Sequence, residues 1–257
     1  MRPALAFPFN DPDGGMFRHL QSILPDLKGH FEHAYLCPPF STLKWVEHIQ
    51  QLQADDFFTI FPVDVEMRIG EHFAYLYQRA AEMADPDQAL HLCFLDRLAF
   101  ALEGEYRNSL LADIDSLTNT DLPLIFQRSK NAWETHPQNY RDIEGIVTTV
   151  GRSLFNRDLD YAWCHIVVHA GQLREIMPLV KNPDLSMVAE MIYYLQNEIH
   201  TRDVDWLAWE DPFILSRDVD ELKHERENSL EETLKRLSYV VPMIETLKKL
   251  SATGRSQ

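Results

Sequence analysis

The chain has 257 residues, of which 45% are hydrophobic and 25% are charged, as in an ordinary globular protein with a sizeable core. The 40 acidic residues outnumber the 24 basic ones, and the formal net charge is −16. A surface of this sign repels nucleic-acid backbones and anionic lipid headgroups, so the composition argues against a nucleic-acid-binding or membrane-surface protein.

The first 130 residues alternate short apolar runs with stretches whose apolar residues recur at helical spacing. The apolar runs predict five strands, at residues 4–9, 33–37, 57–63, 90–95 and 122–126. Helices are predicted between them, one of them capped by Ser41 and one at residues 69–83. This alternation predicts an α/β fold with a mostly parallel sheet and helices on both faces.

The second half is less regular. Helices are predicted at residues 138–155, 172–180 and 186–199, and a strand at 161–168. A final helix at 229–250 carries a heptad-like apolar stripe and contains Pro242, which should kink it. We expect this helix to extend the fold by packing on the core, with homo-oligomerisation through its stripe as the alternative. The predicted domains are residues 1–215 and 216–257.

Cysteine usage and the absence of long apolar runs bear on the compartment. Cys37, Cys93 and Cys164 lie far apart in apolar, strand-like stretches, without a C-x-x-C pair. No apolar run approaches the roughly 18 residues of a membrane-spanning helix, and no export signal is evident. These features predict a cytoplasmic protein with reduced, buried thiols.

Glycine-rich phosphate loops are missing. The sequence has neither a P-loop nor a dinucleotide-binding G-x-G-x-x-G, and it has no G-x-S-x-G elbow. Only 9 glycines are present. Any bound phosphate must therefore be held by side chains or by helix N-termini.

The first candidate site follows the first predicted strand, where ligands bind in open parallel sheets. Asn10, Asp11 and Asp13 lie there in a turn-forming segment. The spacing of the two aspartates resembles the nucleophile loop of haloacid-dehalogenase phosphatases, although the late acidic pair of that family is missing. A loop that binds a base or sugar and a plain turn are the other interpretations.

The second candidate is Asp96, which we place at the end of the fourth predicted strand. A carboxylate at that edge must be hydrogen-bonded, paired or bound to a metal. The neighbouring Arg97 could pair with it. An ion pair or a helix cap is the structural alternative to a ligand-binding role.

The third candidate follows the fifth predicted strand. Thr135 or His136 can cap a helix that Pro137 opens. The free N–H groups of that helix, with Arg128 and Lys130 nearby, would form an anion site. A capped helix with solvated neighbours is the alternative.

The fourth candidate is the segment with Trp206, Trp209, Glu210 and Asp211. Aromatic faces stack on sugars, and a carboxylate among them can serve as a general base. A buried aromatic anchor is the alternative interpretation.

Histidine spacing gives no metal site. His165 and His169, four residues apart on a predicted strand, would lie about 13 Å apart. His30 and His33 flank the start of a strand and form an equally weak pair. We therefore predict no zinc site.

Several of these segments together resemble the GT-A-fold nucleotide-diphospho-sugar glycosyltransferases. The resemblance lies in Pro8-Phe9-Asn10, in Arg68-Ile69-Gly70 and in an aspartate after the fourth strand. A narrower similarity, to a bacterial group of GT-A-like proteins, lies in Leu95-Asp96-Arg97, Thr135-His136-Pro137 with Glu144 downstream, and Trp209-Glu210. The resemblance covers residues 4–215 and concerns architecture more than motifs.

In that family the fourth-strand carboxylates, usually Asp-x-Asp, hold a divalent cation on the diphosphate. The resemblance thus implies Mn²⁺ or Mg²⁺ at Asp96. Here Arg97-Leu98 follows Asp96, so the Asp-x-Asp motif is incomplete. Arg97 is then a candidate to replace the charge of the metal on the diphosphate.

The resemblance implies transfer of a sugar from a nucleotide-diphospho-sugar to a small hydroxyl acceptor. The nucleotide sugar would be bound by Asn10, Asp11, Arg68, Asp96, Arg97, Arg128 and Lys130. His136 would help stabilise the leaving diphosphate. Glu210 or Asp211 would be the acceptor-side base. The alternative is a non-catalytic GT-A-like protein that binds a nucleotide sugar or a protein partner.

Overall fold

A computed structural model describes residues 1–163 and 165–254 of the chain. Cys37 and Cys93 are buried free thiols, as predicted. The third cysteine, Cys164, lies outside the described residues. None of the helices within the described residues combines the length and apolar character that crossing a membrane would require.

Within the described residues, seven strands form one sheet in the order β3-β2-β1-β4-β6-β5-β7. Their bounds are β1 (Ala4–Pro8), β2 (Ala34–Cys37), β3 (Phe58–Ile60), β4 (Ala89–Leu92), β5 (Leu124–Arg128), β6 (His165–His169) and β7 (His200–Val204). β6 runs antiparallel to both of its neighbours, β4 and β5, and all other pairs are parallel.

Helices cover both faces of the sheet. Their bounds are α1 (Gly15–His30), α2 (Val46–Gln53), α3 (Ile69–Met83), α4 (Leu95–Glu103), α5 (Arg107–Ser116), α6 (Lys130–Thr135), α7 (Gln138–Phe155), α8 (Ala170–Ile176), α9 (Ser186–Leu195), α10 (Asp211–Ile214), α11 (Val219–Glu227) and α12 (Leu230–Gly254). A short 3₁₀ turn, Leu117–Asn119, follows α5.

Strand alternation divides the core into two layers. Leu5 and Phe7 of β1 point into the layer formed with α1, α2, α4 and α5. Ala4 and Ala6 point into the layer formed with α3, α7, α8, α9 and α12. The prediction of a mostly parallel α/β sheet with helices on both faces and a C-terminal helix is confirmed.

The C-terminal helix α12 completes the second layer. It continues through Pro242 and buries Val240, Met243 and Leu247 in the core. Leu230 and Leu234 of the predicted stripe are exposed. Homo-oligomerisation through this helix and a domain boundary at residue 215 remain predictions.

Three local predictions differ from the structure. Asp96 does not end a strand, because β4 stops at Leu92 and Asp96 lies in the first turn of α4. Ser41 does not cap α2, which begins at Val46 after a turn. The edge strand β7 was not predicted, because only Val204 of its five residues is buried and the strand has no apolar run.

Candidate functional site

A cavity of about 670 Å³ lies at the carboxyl ends of β1 and β4. From β1 the chain proceeds outward to β2 and β3, and then returns to β4 on the other side of β1. The strand order thus reverses between β1 and β4, and we call this position the switch point. Connections that leave it in opposite directions open a crevice, where ligands of open α/β sheets bind. The volume is in the usual range of small-molecule sites.

A second depression of about 700 Å³ lies on the other side of the molecule, lined by Arg2, Lys28 and Asp55. It is a shallow, open surface groove, and Lys28 and Asp55 already form an ion pair across 2.7 Å. The cavity at the carboxyl ends is therefore the candidate functional site.

Three residues of the predicted candidate sites, Asn10, Asp13 and Asp96, line the cavity. Burial raises the pKa of the Asp96 carboxyl, an effect that neighbouring Arg97 opposes and Asp211 reinforces. The backbone N–H of Arg97 donates a 2.8 Å hydrogen bond to Asp96 Oδ1. Asp96 thus presents a carboxyl group to the cavity from the start of α4.

Three basic side chains of the cavity were missed by sequence reasoning: Arg18 and His19 from α1, and His72 from α3. Within the described part of the chain, Arg18 is exposed and forms no hydrogen bond or ion pair. His19 Nδ1 lies 2.7 Å from Glu103 Oε2. The position of Arg18 and His19 in the first turns of the helix after the first strand was the signal that could have revealed them.

His72 is buried, and its Nε2 atom has no hydrogen-bond partner. Burial lowers the pKa of His72, although a hydrogen bond to the backbone of Cys37 acts in the opposite direction. His72 is therefore neutral near pH 7, and it supplies an uncharged polar atom to the cavity wall.

The N-terminus of α1 is filled by the protein's own carboxylates. Asp11 accepts hydrogen bonds from the N–H groups of Met16 (2.9 Å) and Phe17 (3.1 Å), and Asp13 accepts one from Gly15 (3.0 Å). These are the first three N–H groups of the helix, so no phosphate can take them without displacing a carboxylate.

The two hydrogen bonds at the start of α1 also fix the position of the Asp11 carboxylate. Its carboxylate is fully buried, and its own N–H donates to Thr42 Oγ1 at 2.8 Å. Asp11 is therefore not among the residues that line the cavity, and it does not offer a free nucleophile to a phosphate ester. The phosphatase interpretation has no geometric support.

A mostly buried set of charged side chains, with the neutral ring of His136 among them, lies outside the residues that line the cavity: Arg97, Arg128, His136, Glu144 and Glu210. We refer to these five residues as the charge cluster. Arg97 forms an ion pair with Glu210 Oε2, although that oxygen is not placed for a directed hydrogen bond. Burial, with Asp96 and Asp211 nearby, raises the pKa of Glu210 to about 8 against the opposing effect of Arg97.

His136 belongs to the cluster as a neutral ring. Burial lowers its pKa well below the usual value, and the positive charges of Arg128 and Arg97 lower it further. The 2.9 Å contact of its Nδ1 with the carbonyl of Ala132 assigns the proton to Nδ1. Nε2 then accepts from Arg97 Nη1 at 3.5 Å. His136 therefore adds no positive charge for a diphosphate.

Arg128 is enclosed between two carboxylates. Its side chain is 3% exposed and donates to Glu144 Oε2 at 2.6 Å and to Asp160 Oδ2 at 3.0 Å. Its guanidinium lies 3.7 Å from the ring centre of Trp133. Glu144 also accepts from Arg236 of α12 at 2.9 Å, so Arg128 contributes to a link between the sheet and the C-terminal helix.

The remaining predicted cations lie outside the cavity wall. The Lys130 side chain is 89% exposed and 3.8 Å from Glu134. Arg68 pairs with Glu71 on the surface, while its neighbours Met67 and Ile69 line the cavity.

The predicted anion site at the start of α7 is also filled by a protein group. The N–H of Gln138 donates to Glu227 Oε1 of α11 at 2.8 Å. Neither Thr135 nor His136 caps the helix, which follows Pro137 directly. As at α1, a carboxylate of the chain occupies the place expected for a phosphate.

The structure therefore separates the predicted residues into distinct groups. Asn10, Asp13 and Asp96 line the cavity, whereas Arg97, His136 and Glu210 contact one another outside its lining. Asp211, in the first turn of α10, influences both Asp96 and Glu210 electrostatically.

A hard divalent cation needs several oxygen ligands. In the described ranges, Asp96 belongs to no group of three carboxylate, histidine or cysteine ligands. A Mn²⁺ or Mg²⁺ ion at Asp96 therefore remains a prediction, and it would need water or ligand phosphates to complete its coordination.

Comparison with known proteins gives little further guidance. No protein-family model matches the chain, and neither does any curated protein. One similar solved structure is titled a crystal structure of 4-diphosphocytidyl-2C-methyl-D-erythritol synthase, with 10% sequence identity and a TM-score of 0.45. The match covers 87% of this chain and 99% of that one. A similarity this low does not assign an activity.

Proposed function

We propose that the protein is a glycosyltransferase that binds a nucleotide-diphospho-sugar in the cavity and transfers the sugar to a small hydroxyl acceptor. One observation carries the proposal. The cavity lies at the switch point between β1 and β4 and combines Arg18, a cation without a protein partner, with the Asp96 carboxyl group.

In this proposal Arg18 contacts the diphosphate. The N–H groups at the starts of α1 and α7 are engaged by Asp11, Asp13 and Glu227, so a cationic side chain is the available donor. A guanidinium binds phosphate oxygens through two parallel hydrogen bonds. It would also offset the negative charge that grows on the diphosphate as the sugar leaves.

Uncharged groups of the cavity suit the nucleoside and the sugar. Asn10 and the unpartnered Nε2 of His72 are the polar groups assigned to hydroxyl or base N–H groups of the ligand. Asp96 is the carboxyl group that accepts the proton of the acceptor hydroxyl, since a raised pKa suits a general base. Glu210 does not contact the acceptor in this proposal. It influences Asp96 only indirectly, through its ion pair with Arg97.

The second candidate function is binding of a nucleotide sugar without transfer. It is favoured by the ion pair between Glu210 and Arg97, because neither Glu210 nor Asp211 is among the residues that line the cavity. Without a carboxylate on the acceptor side, the donor would be bound but not consumed.

Calorimetric titration with UDP-, GDP-, ADP- and TDP-sugars, each with and without Mn²⁺, tests the binding step. One nucleotide should bind, and Arg18→Gln should raise its Kd at least tenfold, about 1.4 kcal/mol. Lys130→Gln is the matched control, an exposed cation near the same sheet edge but outside the cavity. An unchanged Kd in Arg18→Gln, or an equal loss in the control, contradicts the proposed diphosphate contact.

Release of nucleoside diphosphate in the presence of sugar and polyol acceptors tests the transfer step. Asp96→Asn should lower kcat by at least a hundredfold, since a general base contributes about that much. Binding without release in the wild-type protein would select the second candidate. Mn²⁺-dependent binding would show that ligand phosphates complete a metal site with Asp96.

A further inference from the structure

A second constellation lies inside the sheet, between β4 and β6. These strands pair antiparallel, with His91 opposite Val167 and Leu92 opposite Ile166. Extending this register by one residue places Cys93 opposite His165. Directly opposed residues share a face of the sheet, and so do His91 and Cys93, two positions apart. Three metal-ligating side chains are therefore neighbours in one layer.

All three side chains are fully buried. His91 Nε2 lies 2.9 Å from His165 Nδ1, so one ring donates to the other. Among the described residues, the outer nitrogens, His91 Nδ1 and His165 Nε2, have no hydrogen-bond partner. The rings of Phe126 and Trp206 pack against the pair. Buried polar atoms without partners are rare in native proteins, and these two lie in an apolar layer.

We propose that His91, Cys93 and His165 form a binding site for a transition-metal cation of the Zn²⁺ class. One ligand atom from each residue can be chosen so that all three lie within 4.8 Å of one another. Ligands around tetrahedral Zn²⁺ are separated by about 3.5 Å, given Zn–N and Zn–S bonds of about 2 Å. The ligand atoms would therefore have to approach one another by about 1 Å for tetrahedral coordination.

The donor set selects the class of cation. Imidazole and thiolate are ligands of Zn²⁺, Co²⁺ and Cu⁺, whereas Mg²⁺ and Ca²⁺ require oxygen ligands. On binding, the Cys93 thiol releases its proton to the solvent and forms the S–metal bond, and the hydrogen bond between the histidines breaks.

The proposed site adjoins the cavity along the chain. Cys93 is followed directly by Phe94, Leu95 and Asp96, which line the cavity. Metal binding is measured separately from nucleotide-sugar binding and transfer, so this proposal and the proposed function can fail separately.

The test is a titration of the metal-free full-length protein with Co²⁺, followed by competition with Zn²⁺. We expect one equivalent of Co²⁺ with a thiolate-to-metal charge-transfer band in the near ultraviolet and the visible bands of tetrahedral Co²⁺. Zn²⁺ should remove both. The absence of the charge-transfer band in the wild-type protein would overturn the proposal without recourse to any variant.

Variants then assign the ligands. Cys93→Ala should abolish the charge-transfer band, and His91→Gln should weaken Co²⁺ binding at least a hundredfold. Cys37→Ala is the matched control, because this buried thiol belongs to no three-ligand group among the described residues. A band that persists in Cys93→Ala, or binding equal in all variants, would place the metal on other residues and contradict the proposal.

Discussion

The cavity and the charge cluster lie near the same edge of the sheet and are built from the same residue types, but their charges are used differently. In the cavity, Arg18 is exposed and has no hydrogen-bond or ion-pair partner among the described residues. In the cluster, Arg128 is 3% exposed and is held between two carboxylates. An arginine near the carboxyl ends of the strands is therefore not by itself a ligand-binding group, because neighbouring carboxylates decide whether its charge is available.

The same contrast holds for the acidic residues. Asp96 faces the cavity, whereas Asp11, only three residues after β1, is fully used in capping α1. Both aspartates were predicted to contact a ligand because each follows a strand, but only Asp96 faces the cavity. The following variants test whether the two regions differ in this way, from the largest expected effect to the smallest.

Arg128→Met should have the largest effect. It leaves the carboxylates of Glu144 and Asp160 buried without their shared cation, which costs about 3–5 kcal/mol of unfolding free energy. Urea unfolding followed by circular dichroism measures the change. Lys130→Met, at an exposed position two residues along, should stay within about 0.5 kcal/mol. Equal effects of the two substitutions would show that the cluster is not the more strongly coupled region.

Acid should weaken the cluster through Glu144. Burial alone would raise the pKa of this carboxyl, but Arg128 and Arg236 hold it at about 2, below the ordinary value of 4.5. A lowered folded-state pKa means that the stabilisation is present above pH 4.5 and is lost as the pH falls towards 2. The difference corresponds to about 3 kcal/mol at 1.36 kcal/mol for each pH unit.

The measurement is the unfolding free energy of the wild-type protein and of Glu144→Gln at intervals between pH 2 and pH 5. The variant should be less stable at pH 5 and should lose less stability as the pH falls. Parallel curves for the two proteins would mean that other carboxylates cause the acid sensitivity.

Asp11→Ala should have an intermediate effect. It removes both acceptors of the Met16 and Phe17 N–H groups at the buried start of α1, which should lower the unfolding free energy by about 1–2 kcal/mol. Asp13→Ala removes one exposed hydrogen bond and should cost about 0.5 kcal/mol. If Asp11→Ala weakened nucleotide-sugar binding while leaving stability unchanged, the carboxylate would be a ligand contact after all.

Arg18→Gln should have the smallest effect on stability. The side chain is exposed and unpaired, so the unfolding free energy should change by less than about 0.5 kcal/mol. Its effect should appear in ligand affinity instead, as proposed above. A large loss of stability in thermal unfolding would show that Arg18 supports the fold, and it would remove the distinction between the cavity and the cluster.

Local sequence features determined much of the fold. The apolar spacing of residues 69–83 predicts α3 with the bounds that the structure gives, because a helix face is set by residues three and four apart. The short apolar runs that form β1, β2, β4 and β5 were found for a similar reason: buried strands need continuous apolar side chains. Those strands, and the rule that ligands bind at their carboxyl ends, were enough to place Asn10 and Asp96 at the cavity.

Only the tertiary structure decided which side chains became partners. The α7 N-terminus is satisfied by Glu227, 89 residues away in the chain, so no local pattern could show that it was unavailable to phosphate. Cys93 and His165 become neighbours because β6 enters the sheet antiparallel between β4 and β5. Spacing along the chain fixes which face a residue takes, whereas strand order and register fix what it meets there, and these depend on contacts between distant segments.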